Sequence, residues 1–115
     1  MVCARKRQQV AVSHKGVAGL TKTIALENAQ SGVTCNVICP GWVKTPLVEV
    51  QIRKFMDREG LGYEQAVSGL LCEREPSQRF TTVDQVASAV LFLASDAEDN
   101  ITGINLAMDG GWTAQ

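Results

Sequence analysis

The chain's single histidine, His14, stands beside Lys15 in the stretch VAVSHKGVAGLTK, residues 10–22. A neutral imidazole next to an ammonium could serve as an acid/base pair. The same two residues could equally be solvated groups on the outside of a helix. A second stretch, CPGWVKTP at residues 39–46, offers different chemistry. Pro40 and Gly41 turn the chain without a bulky side chain, so the backbone can approach a ligand there. Thr45 brings a hydroxyl to a helix N-terminus, which suits a phosphate or an amide. An ordinary strand-to-helix turn has the same composition. The four cysteines, Cys3, Cys35, Cys39 and Cys72, do not form CxxC pairs. In an extended chain Cys35 and Cys39 lie roughly 13 Å apart, too far for a disulfide or a shared metal. They read as small buried apolar side chains in a reducing compartment, and no metal site is expected.

The elements that must position these groups follow from apolar spacing. Val17, Leu20 and Ile24 recur at helical intervals between Lys15 and Asn28, and Ala25 and Leu26 widen the stripe. Ser31-Gly32 is a stop signal, which predicts a helix ending near Gln30. VTCNVIC, residues 33–39, is nearly continuous in apolar and β-favouring residues, the pattern of a strand covered on both faces in a parallel sheet. Pro46 suits a first helical turn with Thr45 as its cap, and Val48, Ile52 and Phe55 mark one face. Gly60 and Gly62 break that helix, and a short one starts at Tyr63. Thr82 and Gln85 form a capping box ahead of a helix whose buried stripe is expected to be Val86, Val90 and Leu93, widened by Ala87, Leu91 and Ala94. GINLAMDGG alternates Ile104, Leu106 and Met108 with polar or small neighbours and reads as a last strand.

Two strands joined by a long helical crossover are expected to be parallel. The fold class expected is therefore α/β. Two strands alone make too small a sheet, so the pattern reads as one portion of a larger domain.

Bulk composition removes several function classes. At 115 residues the chain fits one domain at most, and its net charge is −1. Arg5, Lys6 and Arg7 form one short basic cluster without an aromatic neighbour, so no nucleic-acid partner is expected. No apolar run reaches the ~18 residues of a membrane span, and no membrane partner is expected. The first residues lack the roughly 7–15-residue apolar core of a secretory signal. They are basic and free of acids, which leaves a transit peptide as an alternative. The expected location is cytoplasmic, with the mitochondrion second.

The segments GVAGLTKTIALENAQSGVTCNVICPGWVKTPL, FTTVDQVASAVLFLAS and ITGINLAMDGGWT together resemble the C-terminal half of the short-chain dehydrogenase/reductase family. The resemblance runs from about Ala11 to Thr113, and residues 1–10 do not take part in it. ICPGWVKTPLVEVQI and DGGWTAQ are particularly similar to the family's D-3-hydroxybutyrate dehydrogenases of the soluble, bacterial type. The resemblance implies the C-terminal portion of a Rossmann-type doubly wound parallel sheet, incomplete, with about two strands and their helices. It implies NAD as cofactor, with the family's Gly-rich phosphate-binding turn expected to be missing from this sequence, a small 3-hydroxy acid as substrate and a homo-tetramer as the parent assembly. Pro40, Gly41 and Val43 would line the nicotinamide end, with the Val43 backbone bonded to the carboxamide and Thr45 touching the carboxamide or pyrophosphate. Trp42, Gln51 and Trp112 would line the substrate pocket, Gln51 as donor to the substrate carboxylate. Residues 46–72 would form a lid that excludes water during hydride transfer.

The family's proton-transferring Tyr and, four residues on, its Lys have slots here at Val10 and His14. Valine cannot transfer a proton, and histidine is shorter than lysine and mostly neutral at pH 7. Lys15 lies about 100° further around a helix and faces elsewhere. The chain's only tyrosine, Tyr63, falls in the expected lid. No catalytic residue is therefore assigned. The resulting expectation is a piece of an NAD-dependent oxidoreductase, inactive by itself. The alternatives are a non-catalytic subunit that associates with full-length homologues, or a mis-predicted truncated gene product.

Overall fold

The computed structural model describes residues 8–95 and 98–114, and for residues 8–14 the backbone only. The order is α1 (Gln8–Glu27), β1 (Val37–Pro40), α2 (Pro46–Glu59), α3 (Tyr63–Cys72), α4 (Val83–Leu93) and β2 (Asn105–Met108), followed by a 3-10 turn at Trp112–Ala114. β1 and β2 pair with each other. Val37 N donates to Ile104 O at 3.0 Å and Gly41 N to Met108 O at 3.0 Å, so both strands advance four residues between bonds and run parallel, as expected. The chain divides into two compact units. One comprises 1–39 with 87–107, the other 40–86 with 108–115.

In the first unit, α1 ends three residues earlier than its stop signal implies. Asn28 Nδ2 donates to Ile24 O at 2.9 Å and Ser31 Oγ to Asn28 O at 2.8 Å. These side chains take carbonyls that further helical turns would need, and the backbone tightens to three-residue spacing before Gly32 at φ 73°. The first strand is also shorter than 33–39. Cys35 N donates to Thr102 Oγ1, and the Asn36 side chain bonds Ile101 O and Ile104 N. Side-chain bonds thus replace the ladder until Val37. Every residue of β1 is half-buried rather than covered on both faces. In β2 the expected alternation is present, with Leu106 and Met108 half-buried and Asn105 and Ala107 exposed.

The helical stripes are less covered than their spacing implies. Ala25 is buried on α1, but Val17 and Leu20 are 51% and 59% exposed. No residue of α4 is buried, and Val90 and Leu91 are 50% and 72% exposed. Apolar periodicity records which face a helix can bury, and among the described residues little lies over these two. The cysteines differ in the same direction. Cys35 and Cys39 are half-buried, Cys72 is exposed, and all three are free thiols. Cys3 lies outside the described residues. Among those residues no helix is long and apolar enough to cross a membrane.

The second unit carries the tighter core. Thr45 is extended at φ −132° and caps α2, its hydroxyl accepting from Val48 N at 3.4 Å, with Pro46 in the first turn. Gly60 at φ 64° closes that helix by donating to Met56 O. Gln65 Oε1 accepts from Gly62 N at 3.1 Å and starts α3. Val48 and Ile52 of α2 meet Ala66 of α3, and Trp42, Phe55 and Phe80 pack around them. The capping box stands as expected, Gln85 N on Thr82 Oγ1 at 3.1 Å and Thr82 N on Gln85 Oε1 at 2.8 Å. Ile52 is fully buried at the centre of this cluster. Replacing it by alanine removes three buried carbons and leaves a cavity, for an expected loss of ~2–5 kcal/mol. Urea unfolding followed by circular dichroism is expected to show the midpoint fall accordingly, while Gln51→Ala, on the exposed side, leaves it within ~0.5 kcal/mol.

Candidate functional site

The carboxyl end of β1 runs straight into the turn that carries most of the candidate residues. Pro40 closes the strand, and Gly41 is held by its bond to Met108 O. Val43 forms an isolated parallel bridge with Thr81, made by Thr81 N on Trp42 O and Lys44 N on Thr81 O, both 2.9 Å. In such a bridge the partner residue uses both of its groups and the bridged residue points its own the other way. The Val43 N–H and C=O therefore have no protein partner among the described residues, although Val43 is half-buried. One donor and one acceptor side by side on rigid backbone are complementary to a primary amide. Thr45 already uses its hydroxyl as the α2 cap.

Trp42 is half-buried against the α2–α3 cluster. Its backbone N–H donates to Glu75 Oε1 at 2.5 Å. Glu75 is fully buried, and its second oxygen has no partner among the described residues. A β-carbon on Gly41 would run into Glu75 Oε1 and lie 3.1 Å from Asp109 Cα. A β-carbon on Gly110, whose φ is 60°, would run into Glu75 Oε2 and Ser77 Oγ. The turn after β1 and the turn after β2 therefore meet on one carboxylate.

The second of those turns carries Trp112. Asp109 is 6% exposed and accepts from Gly111 N at 3.1 Å and Thr113 N at 3.0 Å. Burial pushes the Asp109 carboxyl up, but the hydrogen bonds from Thr113 and Gly111 together outweigh it and hold it below its ordinary value. Trp112, half-buried, is set by its own N–H on Asp109 O at 3.1 Å. The structure thus brings Pro40, Gly41, Trp42 and Val43 to the turn bearing Trp112. Gln51 is exposed on α2 and makes no hydrogen bond with them. The Tyr63 hydroxyl, also exposed, donates to Glu49 Oε2 at 3.0 Å, which raises its pKa and ties α3 to α2. The side chains of Val10 and His14 lie outside the described residues.

Spacing did not reveal Glu75 or Asp109. Glu75 sits in REPSQR, which reads as a solvated loop. Asp109 precedes two glycines, an Asx-turn signal that locates a turn but no ligand.

A family model described as enoyl-(acyl carrier protein) reductase, one of the short-chain dehydrogenase/reductase models, matches residues 2–113. The chain belongs to the short-chain dehydrogenase/reductase family. It is 52% identical over 110 residues to the D-beta-hydroxybutyrate dehydrogenase of Rhizobium meliloti (strain 1021), covering 96% of this chain and 42% of that protein. It is 47% identical over 112 residues to the D-beta-hydroxybutyrate dehydrogenase of Cupriavidus necator, covering 97% and 43%. A short-chain dehydrogenase family protein of Francisella tularensis, solved by crystallography, superposes with a TM-score of 0.87 at 30% identity, covering all of this chain and 47% of that one. The chain spans less than half the length of these family members. Its two-stranded parallel sheet with helices is accordingly a partial Rossmann fold.

Within this family member, Asp109 makes a pH-dependent contribution whose sign follows from its lowered pKa. That contribution is complete above the unfolded value of about 3.9 and is lost as pH falls through the lower folded value. Urea midpoints measured from about pH 6 to roughly pH 2 are expected to fall more steeply for the native chain than for Asp109→Asn, which is less stable at neutral pH.

Proposed function

We propose that this chain is part of an NAD-dependent oxidoreductase that interconverts 3-hydroxybutyrate and acetoacetate, and that the 115-residue chain alone does not turn substrate over. The observation that carries the cofactor assignment is the unpartnered N–H and C=O of Val43, a match for the nicotinamide carboxamide. Gly41 lets the backbone close on the ring, Pro40 fixes the turn, and the Thr45 hydroxyl, at the α2 N-terminus, meets the carboxamide or pyrophosphate. When bound, NAD supplies the hydride acceptor. Trp42 and Trp112 form apolar walls for a small 3-hydroxy acid, and the exposed Gln51 amide donates to its carboxylate. Residues 46–72, already tied together by Ile52, Ala66 and the Tyr63–Glu49 bond, act as the lid. The similarity to two D-beta-hydroxybutyrate dehydrogenases supports this substrate class.

Turnover fails on proton transfer. The family's acid/base slot holds Val10, which has no ionisable group, and the slot for its Lys holds His14. The proposed setting is the cytoplasm, and the proposed assembly of the parent enzyme is a homo-tetramer. A second reading, a non-catalytic subunit that joins full-length homologues, is favoured by the exposed Val17 and Leu20 of α1 and Leu91 and Phe92 of α4.

Purified chain given NAD and 3-hydroxybutyrate is expected to form no NADH above background, and any sustained formation overturns the inactivity. NADH is expected to quench tryptophan fluorescence, with acetoacetate strengthening the effect. Val43→Pro, which removes the free N–H and none of the groups that make the Thr81 bridge bonds, is expected to weaken NADH binding about tenfold, or ~1.4 kcal/mol. No quenching by NADH in the native chain defeats the cofactor assignment.

A further inference from the structure

We infer that Glu75 is a positioning residue for both tryptophans of the proposed pocket, an inference that deepens the substrate assignment above and rests on it. The carboxylate is fully buried and holds the Trp42 N–H at 2.5 Å. Its other oxygen has no partner among the described residues and lies against Gly110, two residues before Trp112. Leaving a buried acceptor unmade is unfavourable, so packing stability alone does not account for an acid at this site.

The surroundings are built to receive it. Gly41 and Gly110 both lack the β-carbon that would collide with its two oxygens. The following residues extend the hold. Ser77 N donates to Gly110 O at 3.0 Å, Gln78 N to Glu75 O at 2.7 Å with Gln78 at φ 51°, and Thr81 Oγ1 to Met108 O at 3.1 Å. The segment from Glu75 to Thr81 thus touches the turn after β1 by its carboxylate and the bridge at Val43, and the turn after β2 by its backbone. Trp42 and Trp112 sit on those two turns. A shift of Glu75 moves both at once, and with them the width of a pocket that must hold a four-carbon acid. Neither tryptophan has a side-chain hydrogen bond of its own among the described residues that would do the same.

The test uses Glu75→Ala and Glu75→Gln in the full 115-residue chain, read by amide proton NMR and by ligand-induced tryptophan quenching. An amide bonded to a carboxylate resonates far downfield. In Glu75→Ala the Trp42 amide is expected to lose that shift and to exchange at least tenfold faster, while the Ile52 amide keeps its protection. In Glu75→Gln, which keeps an acceptor oxygen, the shift moves partway upfield and exchange stays within about threefold. Acetoacetate affinity measured with NADH present is expected to fall about tenfold in Glu75→Ala and to recover in Glu75→Gln. If Glu75→Ala does not fold, Glu75→Gln carries the test through the Trp42 shift alone. An unchanged Trp42 shift in either variant overturns the inference. If the native chain responds to neither ligand, the substrate assignment fails, and the Trp42 amide still decides whether Glu75 positions that turn.

Discussion

Gly41 and Gly110 stand where any larger residue would strike the buried carboxylate of Glu75, and that steric constraint orders the rest of the second unit. Each glycine follows the last residues of a strand, so the two strand ends are drawn to one point. The bond from Gly41 to Met108 O and the bond from Ser77 to Gly110 O then close the arrangement with main-chain groups alone. Backbone rather than side chain makes these contacts, so neither tryptophan ring is needed for them, and that of Trp42 packs against the α2–α3 cluster. Parallel α/β sheets place ligands beyond the carboxyl ends of their strands, and this is the point those ends reach.

The constraint also accounts for what Val43 leaves unused. Thr81 bridges to Trp42 and Lys44 on either side of it, so the turn is held by two bonds while the middle residue keeps one donor and one acceptor unpaired among the described residues. A half-buried backbone pair without a partner is costly unless something outside the chain completes it. Thr45 then ends the turn by capping α2, and the helix that follows contributes Val48 and Ile52 to the one tightly buried cluster of the unit. Turn, cap and the α2 side of the core are successive consequences of thirteen residues, Pro40 to Ile52.

Those thirteen residues are also the most legible part of the chain. Pro-Gly after an apolar run, Thr before Pro, and Val48 with Ile52 one turn on each have a single local cause, and each appears as expected. The capping box at Thr82 and Gln85 and the alternation of β2 were legible for the same reason. Legibility failed where one segment's structure depends on another distant in sequence. Asn36 reads as a strand residue, yet its side chain bonds the loop at Ile101 and Ile104 and delays the ladder to Val37. Asn28 and Ser31 shorten α1 by competing for its last carbonyls, which composition does not announce.

The same distinction separates the helices from Glu75. The stripe of α4 is apolar as its spacing implies but is not buried, because periodicity states a capacity and coverage needs a partner surface. Val90 and Leu91 are half to mostly exposed, as are Val17 and Leu20. Glu75 errs in the opposite direction. A charged residue between Arg74 and Pro76 has every local mark of solvent, yet it is among the most deeply buried side chains described. Its only trace in the sequence is indirect, in two glycines sixty-nine positions apart, Gly41 and Gly110, whose missing side chains make sense once one carboxylate is placed between them. A glycine after a strand is ordinarily read for its turn geometry. Here Gly41 has no left-handed φ to explain it, since only Gly110 of the pair is in that region. What Gly41 records is the space that another residue occupies.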